Sequence, residues 1–293
     1  MVTRYDFCKG HGTQNTFVLL PDLDGTRYPD LTAENVRALC DRNTGLSADG
    51  MIRIAPVDAA PPAPDHDTGS QPGGSAEWFM DYRNADGSLA EMCGNGVRVM
   101  ARYLWETGVV RTRDLTIATR GGDRALTRDE EGLITVGMGT PRALNGPTAS
   151  FVAVGSHTYP AVPVFVPNPH AVVFVDSVAE AGVLESAPGL SPAETFPDGA
   201  NIEFVTEVAP GHVKLRVWER GVGETRSCGT GVCAAAWAAM RRDVAPRGST
   251  YVVDVPGGRL TVTERPDGQL LLTGPAELGV RGVVTDIRPA DIM

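Results

Sequence analysis

The chain has 293 residues, 42% hydrophobic and 21% charged, which is enough for two domains with cores of their own. Its formal charge of -10 argues against nucleic acid or an anionic membrane surface as partner. No apolar run approaches the length of a membrane span and Met1–Phe7 lacks a signal-peptide core, so the expected compartment is the cytoplasm.

In chain order, Lys9-Gly10-His11-Gly12-Thr13-Gln14-Asn15 reads as a turn that runs into a strand over 16–20. Leu31–Cys40 carries Val36, Leu39 and Cys40 on one face. With Thr32 as N-cap and Glu34 in the first turn, a helix is expected, ending near Gly45. Met51–Ala55 is a short strand. The next stretch, 56–76, holds Pro56, Pro61, Pro62, Pro64 and Pro72 without periodicity and reads as an exposed loop. Glu77–Tyr82 is a strand, and Asn84-Ala85-Asp86-Gly87 is a turn. Met92-Cys93-Gly94-Asn95-Gly96-Val97 then opens a helix, because Val97, Met100, Ala101 and Leu104 share a face until Gly108. Strands are expected at 115–119, 124–127 and 133–136.

The second half repeats this order. Strands are expected at 151–154, 162–166 and 172–175. Ser177-Val178-Ala179-Glu180 and Ser191-Pro192-Ala193-Glu194 both fit a capping box, predicting two helices. Asn201–Thr206 and Val213–Arg220 alternate as strands. Ser227-Cys228-Gly229-Thr230-Gly231-Val232 opens an alanine-rich helix to Met240, whose small residues suit close approach on several sides. Strands follow at 251–255, 260–263 and 270–273. Gly122 follows Cys93 at nearly the interval at which Gly258 follows Cys228, and Gly139-Thr140-Pro141 matches Gly274-Pro275. The chain therefore reads as two copies of one strand-rich unit around a helix, with the repeated cysteines expected to face each other across a seam.

The five cysteines are an odd number with no Cys-x-x-Cys pair, so neither a disulfide framework nor a zinc site is expected. Cys8, Cys40 and Cys233 read as small buried hydrophobes. Cys93 and Cys228 stand apart because each sits in a Gly-rich turn at a helix N-terminus. There a thiolate is favoured and backbone N–H groups can hold an anion. One carboxylate between two thiols suits removal of an α-proton from an amino acid and its return on the other face, one thiol ionised and the other protonated.

These residues resemble the diaminopimelate epimerase family over nearly the whole chain. The likeness rests on Lys9-Gly10-His11-Gly12 with Asn15, Asn84-Ala85-Asp86-Gly87, Met92–Arg98, Asn168-Pro169-His170, Asn201-Ile202-Glu203-Phe204 and Glu219–Val232. It implies an α+β fold of two pseudo-symmetric domains, each a curved mixed β-sheet wrapped around a central helix. Residues 1–137 with 275–293 would form one half and 138–274 the other. It implies cofactor-independent epimerisation of LL-2,6-diaminopimelate to the meso form, in lysine and peptidoglycan precursor supply. Cys93 and Cys228 would be the acid/base pair, with His170 and Glu219 as catalytic helpers. Gly94, Asn95, Gly229 and Thr230 would hold the reacting carboxylate. Asn15 and Glu219 would contact the reacting centre. Arg220, with Asn84, Asn168 and Asn201, would hold the distal carboxylate. No metal and no cofactor is implied, and a homodimer is. The chain departs from the family pattern at Thr16, Ser47, Gly50 and Pro167, positions that bear on substrate choice. The rival readings are a related racemase or epimerase of another amino acid and, more remotely, a non-catalytic redox-sensing or binding protein.

Overall fold

The computed structural model describes residues 4–28, 31–61 and 74–285. The chain divides into two compact units, one running to Val136 and resuming at Pro275, the other Gly137–Gly274.

The first unit contains β1 (Arg4–Gly12), β2 (Asn15–Pro21), α1 (Ala33–Cys40), β3 (Gly50–Pro56), β4 (Trp78–Asn84), α2 (Gly94–Glu106), β5 (Asp114–Ala118), β6 (Arg124–Arg128) and β7 (Ile134–Gly139), which crosses into the second unit. The second adds β8 (Arg142–Ala143), β9 (Ser150–Val154), β10 (His157–Phe165), β11 (Pro169–Phe174), β12 (Gly189–Ser191), β13 (Asn201–Ala209), β14 (His212–Glu219), β15 (Gly223–Thr225), α3 (Gly229–Arg242), β16 (Thr250–Val255), β17 (Gly258–Glu264) and β18 (Leu270–Gly274). β19 (Glu277–Thr285) returns to the first unit.

In the first unit β1 pairs antiparallel with both β19 and β2, and β2 lies parallel to β3. β3 and β4 are antiparallel, and β5 is added parallel to β4 after α2. β6 and β7 complete the sheet. α2 packs on β1, β2, β3, β4 and β19, so the sheet curves around it. Its stripe of Val97, Met100 and Leu104 is fully buried, each such side chain stabilising by roughly 1.5–3 kcal/mol. The outer face of β1–β3 carries a second layer in which Val36, Leu39 and Cys40 of α1 pack on Tyr5, Val18, Leu20 and Met51. The strands are buried on both faces, so β2 reads as an apolar run rather than an alternation. The Thr32 cap expected of α1 is present and closed by Asn35.

The second unit follows the same plan. β9, β10 and β11 are antiparallel neighbours, β11 is parallel to β13, and β13 is antiparallel to β14. After α3, β16 is added parallel to β14, and β17 and β18 finish the sheet. The alanines of α3 are buried nearly throughout, with strands from β10 to β18 against them.

Three expectations change. The segment at Gly10 and Gly12 is strand, not turn. A Cβ on Gly10 would meet the Glu277 carbonyl at 2.6 Å and Val99 at 2.8 Å, so these glycines admit neighbouring chain. The turn is confined to Thr13 and Gln14, both at positive φ (49° and 62°). The helix expected from Ser177 is one 3-10 turn, Val178–Ala181. Its capping box forms as expected, but Gly182 at φ 60° ends it. The helix expected from Ser191 is a 3-10 turn, Ala193–Thr195, with Pro192 as an N-cap that has no side-chain hydrogen bond. Most of the 56–76 loop lies outside the described residues, apart from a 3-10 turn at Val57–Ala59. Among the described residues no helix is long and apolar enough to cross a membrane.

Burial pushes the Cys40 thiol from 9.0 up to about 12, and the Asp49 carboxylate adds to the rise. The unfolded chain ionises near the ordinary value, so the folded state holds the extra proton and stability falls as pH rises from about 9 towards 12. Between pH 8 and pH 10 this one group should remove about 1 kcal/mol of stability. Urea midpoints of the wild type and Cys40→Ala at both pH values test this, and the variant should show the smaller pH-dependent loss.

Candidate active site

In the first unit Cys93 is the N-cap residue of α2 and is half-buried. Its Sγ lies 3.7 Å from Asn15 Oδ1, within reach of a thiol donor. Asn95, in the first turn, donates from Nδ2 to the same Asn15 oxygen (3.4 Å). The orientation of Asn95 is set from behind. Arg98, completely buried, donates to Asn95 Oδ1 (2.7 Å), to the Gly94 carbonyl (3.0 Å) and to the Pro275 carbonyl (3.3 Å). The Thr13 hydroxyl donates to Asn95 Oδ1 as well (3.3 Å), which ties the left-handed turn to the helix.

Asn15 is held from its other end by Asp49. One oxygen, Asp49 Oδ2, accepts from Asn15 Nδ2 (3.1 Å), the Thr16 N–H (2.8 Å) and the Thr16 hydroxyl (2.9 Å). The Asp49 carbonyl accepts from the Ala85 N–H (3.2 Å), linking this group to the turn that starts at Asn84. Asn84 accepts at Oδ1 from the Tyr82 hydroxyl (2.9 Å) and donates to Ser88 Oγ (3.0 Å). Gly50 pairs with Asn84 across β3 and β4. A Cβ at Gly50 would meet the Tyr82 ring and the Arg83 carbonyl, each at 2.8 Å. Thus Thr16 clamps Asp49, and Tyr82 fills the space beside Gly50.

In the second unit Cys228 is the N-cap residue of α3 and is 6% exposed. Its Sγ lies 3.4 Å from Thr230 Oγ1. The Thr225 hydroxyl donates to Glu219 Oε1 at the end of β14. His170 at the start of β11 is completely buried. Its Nδ1 meets Glu203 Oε1 at 2.7 Å and its Nε2 meets Asn168 Oδ1 at 2.9 Å. Asn201 accepts the Arg220 N–H (2.9 Å), and the Arg220 guanidinium donates to the Asp198 carbonyl (2.9 Å) while remaining exposed.

Burial pushes the Cys228 thiol well above its ordinary value. Glu219 reinforces this and Glu203 adds to it, while the Thr230 hydroxyl and the Gly231 N–H pull the other way. At Cys228, enclosure beside two carboxyl groups opposes the thiolate that a helix N-terminus favours. Burial also raises the Glu219 carboxyl, Glu203 adds to the rise, and hydrogen bonds from Thr225 and Cys228 with the charge of His170 oppose it. Although part of Glu219 reaches the surface, its carboxyl is enclosed, and that local environment governs its charge.

The first unit therefore brings together Cys93, Gly94, Asn95 and Asn15, with Asn84 linked through Asp49. The second brings together Cys228, Gly229, Thr230, Glu219, His170 and Asn168, with Asn201 and Arg220 alongside. Asp49, Tyr82, Arg98 and Glu203 had no assigned role from sequence. Glu203 carried a usable signal, as an acidic residue inside an otherwise apolar strand-forming stretch. Among the described residues no cluster of His, Cys, Asp and Glu could hold a metal ion.

A family model described as diaminopimelate epimerase matches residues 7–144 and 164–279. A diaminopimelate epimerase of Streptomyces coelicolor is 50% identical over 287 residues, covering 96% of this chain and 96% of the relative. A protein of the same name from Thermobifida fusca is 48% identical over 283 residues, covering 95% of this chain and 97% of the relative. Among solved structures, a hydroxyproline epimerase from Agrobacterium vitis has a TM-score of 0.69 at 14% identity, covering 98% of this chain and 94% of that one. That likeness shows the fold alone.

The two thiols should differ in reactivity. With limiting iodoacetamide at pH 7, peptide mapping should find the label first on Cys93, with Cys228 labelled appreciably only as pH rises past about 9. Labelling of Cys228 ahead of Cys93 would contradict the upward push of burial on the Cys228 thiol.

Proposed function

The chain belongs to the diaminopimelate epimerase family, and from that premise we propose that it interconverts LL- and meso-2,6-diaminopimelate by two-base thiol chemistry. The observation that supports the mechanism is that Cys93 and Cys228 are the N-cap residues of the two central helices, Cys93 beside Asn15 and Cys228 enclosed beside Thr230, with burial and Glu219 favouring the protonated form of Cys228. A proton donor is thereby ready before substrate arrives.

Cys93 takes the α-proton. The C–H electron pair passes into the substrate carboxylate, which gains enediolate character. The Cys228 S–H then delivers its proton to the opposite face of that carbon and becomes a thiolate. The opposite isomer runs the same steps with the thiols exchanged. Asn15 Oδ1 is placed to accept from the thiol that forms at Cys93. The first-turn N–H groups of Gly94, Asn95, Gly229 and Thr230 stabilise the enediolate where its charge develops. Glu219 holds the substrate ammonium, and His170 tunes the charge balance around Glu219 and Cys228. Arg220, anchored on Asp198, offers its remaining donors to the distal carboxylate, with Asn84, Asn168 and Asn201 as neutral partners.

This is an isomerase with a small-molecule substrate, serving lysine and peptidoglycan precursor synthesis. Family membership supports a cytoplasmic homodimer.

In D2O under reducing conditions, the wild type should exchange the α-proton of LL-diaminopimelate and form the meso isomer. Cys93→Ser and Cys228→Ser should each lower epimerisation by roughly a hundredfold or more. Full epimerisation by either single variant would sink the two-thiol mechanism. Exchange on another amino acid but not on diaminopimelate would move the substrate to a related racemase reaction.

A further inference from the structure

Glu203 is completely buried at the centre of the second unit, in β13. Its partners in the neighbouring strands are Val172 of β11 and Val217 of β14, both fully buried and apolar. With side chains alternating between faces, His170 and Glu219 lie two residues along from these valines and share the face of Glu203. Glu203 therefore stands one row behind the His170 and Glu219 row.

A carboxylate placed between two valines costs several kcal/mol unless its surroundings compensate. Here one oxygen is held by His170 Nδ1 at 2.7 Å, and the other, Oε2, is buried without a hydrogen-bond partner. The helix side has been opened for it. A Cβ on Gly231, in the first turn of α3, would meet Glu203 Oε1 at 2.6 Å and its Cγ at 3.3 Å. The second glycine of the Cys-Gly-Thr-Gly phrase thus leaves room for the carboxylate. A structural role alone would be met by an apolar residue of similar size, without the uncompensated oxygen.

We infer that Glu203 is a positioning residue of the catalytic centre, which fixes the His170 ring through Nδ1 and seats the first turn of α3 that carries Cys228. With Nδ1 engaged, Nε2 faces Asn168 and the ring cannot turn. The inference rests on the epimerase reading for its kinetic consequences but not for its geometry. Among the described residues, the titratable groups whose charge bears on Cys228 are Glu219 from β14 and Glu203 from β13, and His170 from β11 acts on Glu219.

Glu203→Gln tests it, since it keeps the shape and removes the charge. Turnover of LL-diaminopimelate should fall on the order of tenfold or more, with KM changed by no more than about twofold, because Glu203 does not touch substrate. The pH midpoint for alkylation of Cys228 should move down, because a negative charge beside the thiol has gone. The His170 Nδ1–H signal in the NMR spectrum should shift. Gly231→Ala, which displaces Oε1, should lower turnover in the same direction. The double variant should be no worse than the more damaging single one. Wild-type turnover in Glu203→Gln together with an unmoved Cys228 midpoint would overturn the inference. If Glu203→Gln does not fold, Gly231→Ala decides by the same two readouts. Should the wild type not act on diaminopimelate, the epimerase reading fails, while the alkylation midpoint and the His170 signal still judge Glu203 in the resting protein.

Discussion

Each central helix enters its sheet by its first turn, and the second glycine of each cysteine phrase is what allows it. A Cβ at Gly96 would stand 3.0 Å from Ile52 and Met80 and 3.3 Å from Phe17. At Gly231 it would stand 2.6 Å from the Glu203 carboxylate. A larger residue at either position must displace the side-chain ends it meets or shift the helix start, and with it the cysteine at the N-cap. The placement of both thiols therefore depends on a close approach one turn deeper. The contents of the two approaches differ. α2 meets hydrocarbon, and amides surround Cys93. α3 meets a carboxylate, and Cys228 lies beside two acids. A duplicated scaffold thus gives two thiols in unequal surroundings.

The same plan tolerates different joints. The parallel pair β2 and β3 is bridged by α1, whose apolar face covers the strands with Val36, Leu39 and Cys40. The corresponding pair β11 and β13 is bridged by two 3-10 turns, which bring Ala181, Leu184 and Phe196 onto Ala171, Val173, Ile202 and Phe204. Either bridge suffices because a parallel pair requires only a crossover that covers its outer face.

Much of this was legible in the chain. The spacing of Val97, Met100, Ala101 and Leu104 gives α2, the alanines after Cys228 give a central helix, and Thr32 caps α1. The duplicated phrase points to both thiols. What sequence reading missed depends on neighbours distant along the chain. β1 was hidden because Gly10 and Gly12 look like turn residues, whereas their smallness answers to Glu277, Val99 and Asn95. The capping box at Ser177 is real, yet a cap determines where a helix starts and not whether it continues past Gly182. The direction of the Cys228 shift was unreadable because enclosure by β13 and β14 is a tertiary property. Glu203 looked like one polar member of an alternating strand until the surrounding valines and Gly231 gave it a setting.

β19 has a consequence for the order in which the protein is made. The second unit is contiguous, so all its strands exist once Gly274 has been synthesised. The first unit still lacks the strand that pairs with β1 and the Pro275 carbonyl that receives Arg98, a contact spanning 177 residues. Arg98 also orients Asn95 beside Cys93. During synthesis the Cys228 half can therefore mature first, while the Cys93 half keeps an open sheet edge until residues 277–285 arrive. The nascent chain carries its less enclosed thiol in the half that closes last.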